Sequence, residues 1–169
     1  MIKRPTGGGI VFHNEAEVTF SLVTAIDDPI LPKGLVPSYK KISEAIVFAL
    51  KGLGIPAEIR NPSFLSGQVS DFGFRNSALC FSYPAEYEIV ADGKKIVGSA
   101  QKRGRKALLQ QGSIFVCGTE ESAFSVLKKP YDDVNAISLE EALGRETTFN
   151  EIFSALVDGF GKILGIEFD

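Results

Sequence analysis

The chain has 169 residues, 44% of them hydrophobic and 23% charged, with a formal net charge of -3, the make-up of one globular domain able to bury a core. Net negative charge argues against nucleic-acid binding as its main business, because phosphate binding needs clustered positive charge, and no apolar run approaches the roughly twenty residues that a membrane span requires. Its two cysteines, Cys80 and Cys117, make neither a disulfide framework nor a metal-binding CxxC, so a reducing cytoplasm is the expected setting.

The first informative stretch is Arg4-Pro5-Thr6-Gly7-Gly8-Gly9-Ile10-Val11-Phe12-His13. Three glycines weaken a strand and add no side-chain packing, so they suggest backbone that approaches a ligand or another strand closely, with N–H groups able to cradle a carboxylate or phosphate. An ordinary turn or bulge is the alternative. Next, Glu17 to Val23 alternates, with Val18, Phe20 and Leu22 on one face, which predicts a half-buried strand in hairpin with the preceding segment. After Pro29, Pro32 and Pro37, apolar residues Tyr39, Ile42, Ile46, Ala49, Leu50 and Leu53 recur at helical steps, and Gly52, Gly54 and Pro56 end the helix. From about Pro62 to Asn76 no period is visible, which reads as a long loop of the kind that is often functional.

The strongest hairpin signal follows, Glu86 to Ala91, Asp92-Gly93 and Lys94 to Gln101, because a type I′ turn needs positive φ at both central residues. A two-residue loop sets Val90 opposite Lys95, Glu88 opposite Val97 and Glu86 opposite Ser99. It gathers Lys95, Val97, Ser99 and Gln101 on one face, with Tyr87, Ile89, Ile96, Gly98 and Ala100 on the other. Lys102-Arg103-Gly104-Arg105-Lys106 reads as a solvated turn leading into a strand from Ala107 to Cys117. Two helices finish the chain behind capping boxes, Ser138 with Glu141 and Thr148 with Glu151. Strands grouped between helices give an α/β (α+β) domain, helices packed on a largely antiparallel sheet, with no internal repeat or linker.

The reactive side chains are few. His13 is the only imidazole, so any histidine-based triad would have to use it, and a zinc site of several histidines is excluded; a hydrogen-bonded structural histidine is the other reading. Cys80, in Asn76-Ser77-Ala78-Leu79-Cys80-Phe81-Ser82-Tyr83-Pro84, is a candidate nucleophile against the alternative of a buried inert thiol, and Cys117, ending an apolar strand, is the weaker candidate. Lys95 could favour a thiolate and donate to a developing oxyanion, or simply be solvated beside the turn. Gly98, inside a strand, marks a close backbone approach.

Arg4-Pro5-Thr6-Gly7-Gly8-Gly9 with His13, Cys80-Phe81, Glu86-Tyr87-Glu88-Ile89, Gly93-Lys94-Lys95-Ile96-Val97-Gly98-Ser99-Ala100-Gln101 and Leu109-Gln110-Gln111-Gly112-Ser113-Ile114, in this order and spacing across nearly the whole chain, resemble the lipoate-protein ligase A and octanoyltransferase family. The resemblance implies a biotin/lipoyl ligase-like fold, a mixed, largely antiparallel sheet flanked by helices, with residues 1–169 as the catalytic domain and the acyl chain in a tunnel beneath the glycine loop. The Cys-Phe block before the Tyr-Glu strand and the Gly-Ser-Ala-Gln block after the lysine are most similar to the octanoyltransferases of Gram-positive type.

On that resemblance, Cys80 and Lys95 are the catalytic pair. Arg4, Gly7, Gly8, Gly9 and His13 bind substrate from the glycine loop, joined by Gly98, Ser99, Ala100, Gln101, Gly112 and Ser113 from the paired strands, with no metal site. The implied reaction carries an octanoyl or lipoyl group from acyl carrier protein through Cys80 to a lysine of a lipoyl domain, such as the glycine cleavage H protein or a 2-oxoacid dehydrogenase E2, without a cofactor. An ATP-dependent lipoate-protein ligase using Mg²⁺ is the second implied reading. Two departures stand out: Gln111 replaces the family's usual histidine, and relatives carry on the order of seventy residues ahead of the arginine and glycine loop, a size compatible with ordinary domains. The second departure motivates a third expectation, an N-terminally shortened chain acting as a non-autonomous fragment or as one subunit of a split enzyme.

Overall fold

The computed structural model describes residues 5–6, 13, 17–60, 87–117 and 135–168. The glycine loop at 7–9, Arg4, Cys80 and the stretch 62–76 lie outside these. Among the described residues eight elements follow in order: β1 Val18–Ala25, α1 Leu35–Gly52, β2 Ala57–Ile59, β3 Ile89–Ala91, β4 Lys94–Arg103, β5 Ala107–Ile114, α2 Leu139–Leu143 and α3 Phe149–Leu164. The five strands form one sheet in the order β1-β5-β4-β3-β2, every neighbouring pair antiparallel, with a single isolated parallel bridge from Lys95 to Ala136.

Sequence determines most of this locally. β1 alternates as predicted, and Val18, Phe20 and Leu22 turn inward while Val23 is exposed. In α1 the helical spacing of Ile42, Ile46, Ala49 and Leu50 makes one buried stripe, each fully buried aliphatic side chain contributing about 1.5–3 kcal/mol. The stripe ends where Leu53 caps the helix and Gly54 turns to φ 98°. Asp92 and Gly93 take φ of 50° and 74°, the left-handed pair that the β3–β4 turn requires. The basic turn 102–106 is a hairpin connection, closed by Gly104 N–H donating to Ala107 O at 2.8 Å.

Ser138 and Glu141 form the predicted capping box, which holds the Glu141 carboxyl below its ordinary range. The second box is half formed. Thr148 accepts from Glu151 N–H, but the Glu151 carboxylate turns to Arg145 and Thr147 instead of back to its own cap.

The core lies between the sheet and the helix pair α1 and α3. Ile42, Ile46 and Leu50 of α1 meet Ile152, Leu156 and Phe160 of α3 over Ile89, Val97, Leu108 and Ile114. The helices approach backbone to backbone at Gly159, where an added Cβ would stand 2.3 Å from Ala45 O. Among the described residues no helix is long and apolar enough to cross a membrane.

Candidate functional site

The plain hairpin register fails at one position. Val90 pairs with Lys95 as expected, but Ile89 pairs with Val97, so Ile96 is an extra residue and β4 bulges there. Ladder partners share a face and neighbours along a strand alternate. Ile89 and Val97 therefore take one face, Val90 and Lys95 the other. The expected grouping of Lys95 with Val97, Ser99 and Gln101 is thereby corrected: the bulge turns Lys95 onto the face of Gly98 and Ala100.

Contacts settle which face is which. Ser99 Oγ and the Tyr39 hydroxyl of α1 are hydrogen-bonded at 2.8 Å. Gln101 accepts from Ser38 Oγ at 3.2 Å and donates to Gln110 Oε1 at 2.9 Å, while Arg103 donates to Ser38 Oγ at 2.9 Å. Gly112 is crossed by the Phe20 ring, 2.4 Å from where a Cβ would be, and Phe20 meets Phe160 of α3. Ser99, Gln101 and Gly112 thus face the helices.

The opposite face carries Lys95, Gly98, Ala100 and Ser113. Lys95 is the most notable side chain of the described residues, because it is wholly buried while Lys94 beside it is exposed. A buried ammonium must be paired to be tolerated. Lys95 Nζ donates to Glu88 Oε1 at 2.5 Å, and the Glu88 side chain is itself only 9% exposed. Both partners are pinned through their backbones: Lys95 N–H donates to Asn135 O and Ile137 N–H to Lys95 O, while Arg60 N–H donates to Glu88 O. Ser113 pairs with Gly98 across the ladder. Its hydroxyl is buried and, among the described residues, has no hydrogen-bond partner, a cost that invites a bound group.

His13 lies elsewhere. It is exposed and pairs through Nδ1 with the Glu17 carboxylate. Glu17 lines a cavity of about 270 Å³ with Val18, Val116, Cys117, Phe149 and Ile152, and none of Lys95, Gly98 or Ser113 borders it. Cys117 is partly exposed at that cavity, outside the strand that was expected to bury it. Of the expected site residues, the structure brings together Lys95, Gly98, Ala100 and Ser113; it turns the side chains of Ser99 and Gln101, with Gly112, to the helix side. Glu88, the partner of Lys95, was not among the expected site residues. Its signal was present: a carboxylate in the run Tyr87-Glu88-Ile89-Val90-Ala91 needs a cation once that run is buried.

Residues 1–161 match the family model described as the lipoyl protein ligase A/B catalytic domain. The chain is 38% identical over 174 residues to the octanoyltransferase LipM of Kyrpidia tusciae, covering 97% of this chain and 62% of that protein. It is 36% identical over 178 residues to the octanoyltransferase LipM of Moorella thermoacetica, covering 99% and 63%. Its structure resembles that of a lipoate-protein ligase A bound with ATP, at 27% identity and a TM-score of 0.73 over 98% of this chain and 59% of that one. The chain spans about three fifths of the length of the curated relatives it matches.

Proposed function

The chain belongs to the lipoyl protein ligase A/B catalytic domain family, and from that premise we propose that it moves an octanoyl group, or a lipoyl group, from an acyl carrier protein thioester to a lysine of a lipoyl domain, in the cytoplasm, using residues 1–169 as its catalytic domain. In this reading the Cys80 thiolate attacks the thioester carbonyl carbon, its sulfur bonds to the acyl group, and the carrier thiol leaves with a proton. The acceptor amine then attacks the acyl-Cys80 thioester, an amide forms, and the Cys80 thiol is regenerated. Every atom balances without a cofactor.

Lys95 donates to the carbonyl oxygen as negative charge develops there. Gly98, Ala100 and Ser113 lie on the same face beside the acyl group, and the Ser113 hydroxyl is a second donor. Ser99, Gln101 and Gly112 hold the strand pair in place from the helix side. For Arg4, Gly7, Gly8, Gly9 and His13 a substrate-binding role rests on the family resemblance alone. The observation that carries the reading is the buried Lys95, on one face with Gly98 and with a serine hydroxyl that lacks a partner among the described residues.

A ligase reading has one observation behind it, the likeness to an ATP-bound lipoate-protein ligase. Among the described residues, the charge balance at Lys95 weighs against ATP. A triphosphate calls for uncompensated positive charge, and here a carboxylate stands 2.5 Å from the ammonium. A neutral acyl carbonyl suits that pair better. Intact-mass analysis after incubation with octanoyl-carrier thioester tests the choice. An octanoyl adduct that is absent from Cys80→Ser is the expected result; an adduct that persists in the variant removes Cys80 as nucleophile. Lipoate-dependent exchange of pyrophosphate into ATP, with no adduct from the carrier, overturns the transferase reading in favour of the ligase.

A further inference from the structure

We propose that Glu88 is the positioning residue for Lys95 in acyl transfer, aiming the ammonium at the reacting carbonyl and balancing its charge before substrate arrives. The assignment rests on the acyl-transfer reading above and extends it to a residue with no role there.

The geometry is built around this pair. Lys95 shares a face with Glu88 through its partner Val90, and the extra residue at Ile96 takes it off the face of Val97, Ser99 and Gln101; bulges recur next to active sites because they re-aim side chains. On the other strand, Tyr87 immediately before Glu88 has φ 65°, a left-handed conformation that a bulky aromatic residue rarely adopts and that clusters at functional sites. Tyr87 is fastened there: its N–H donates to Arg60 O at 3.1 Å, and Lys40 Nζ stands 5.2 Å from its ring centroid. Both halves of the ion pair therefore sit on irregular backbone that is fixed by segments distant in sequence.

Stability alone does not account for the arrangement. Replacing a buried ion pair by well-packed apolar residues is often neutral or favourable, so burial of Lys95 and Glu88 is weak evidence for a folding role. A fixed donor is what charge development needs, because a preorganised dipole requires no reorganisation at the moment of reaction. An ammonium carries three N–H donors, and anchoring one of them on Glu88 at 2.5 Å sets the direction of the others.

The test uses the full chain under single turnover, following octanoyl transfer from carrier thioester to Cys80. Glu88→Gln keeps the shape and one acceptor oxygen but removes the charge. Its maximal acylation rate should fall about a hundredfold, in the range of a lost oxyanion donor, with the half-saturating donor concentration changed less than about threefold. Glu88→Asp should recover part of the rate. In a Lys95→Met background, adding Glu88→Gln should cost little more, since coupled residues are non-additive.

A wild-type acylation rate in Glu88→Gln overturns the assignment, as does a loss wholly in half-saturation or one that persists undiminished without Lys95. If Glu88→Gln does not fold by thermal denaturation, Glu88→Asp is judged by the same split between rate and half-saturation. A wild-type chain that forms no adduct at all overturns the acyl-transfer reading, and the assignment with it; an adduct on the wild type with Glu88→Gln unaffected overturns the assignment alone.

Discussion

Two adjacent rungs of the β4–β5 ladder are mirror images in composition. Ser99 stands opposite Gly112, and Gly98 stands opposite Ser113. On the helix side the serine is satisfied by the Tyr39 hydroxyl and the glycine is overlain by Phe20. On the other side the serine hydroxyl is buried without a partner among the described residues, next to a face that carries a buried ammonium. The same two residue types do opposite jobs. One pair closes a core, and the other sets a buried hydroxyl without a partner among the described residues on the face of Lys95.

The largest effect belongs to the face of Lys95. Lys95→Met keeps the stem of the lysine and removes the ammonium, and octanoyl transfer should fall about a hundred- to a thousandfold, the usual loss for a preorganised oxyanion donor. Single-turnover acylation measures it; a variant within about threefold of the wild type would leave Lys95 with no part in the chemistry. Helix-side changes should instead be read in stability. Gly159→Ala drives a methyl group to within 2.3 Å of the Ala45 carbonyl oxygen, so the two helices must part or bend. Chemical denaturation should show a loss of about 1–3 kcal/mol, and an unchanged midpoint would mean that α1 and α3 yield without cost.

The two serines sharpen the contrast directly. Ser99→Ala removes the 2.8 Å hydrogen bond to the part-buried Tyr39 hydroxyl and should destabilise the fold by about 0.5–1.5 kcal/mol, whereas Ser113→Ala removes a hydroxyl that lacks a partner among the described residues and should leave stability within about 0.5 kcal/mol, on the favourable side. Ser113→Ala should nevertheless slow acyl transfer. Equal destabilisation by both substitutions, measured by urea unfolding, would erase the distinction between the faces.

Much of this was legible in the residues. Helical spacing from Ile42 to Leu50, the Asp92-Gly93 turn and the Ser138-Glu141 box are each short-range signals, and each element stands where its signal was. The resemblance led to Lys95, Gly98 and Ser113. What escaped was the side of the sheet. No residue in Lys95-Ile96-Val97 announces a bulge, because aliphatic residues suit either register, and one inserted position reverses every face before it. Glu88 escaped for a different reason: the plain register already set it on the face of Lys95, and what the hairpin pattern does not show is that both side chains are buried.

Arg145 and Glu151 supply the control for the buried pair, the same charges joined at the surface. Arg145 donates to both Glu151 oxygens and Thr147 Oγ1 donates to Oε2 at 2.9 Å. The Arg145 bonds, then Thr147, lower the Glu151 carboxyl from 4.5 to about 2. A carboxyl held lower in the folded chain stabilises it above the unfolded value, and that contribution fades as pH falls from 4.5 toward 2. Glu151→Gln should therefore flatten the acid limb of stability in that window and leave the alkaline side unaltered. Because the pair is in contact with solvent, the effect should be small and should shrink further in about 1 M salt. Acid titration of unfolding at low and high salt reads it, and a difference that survives high salt would mean that Glu151 acts through its short-range hydrogen bonds from Arg145 and Thr147 rather than through screened charge attraction.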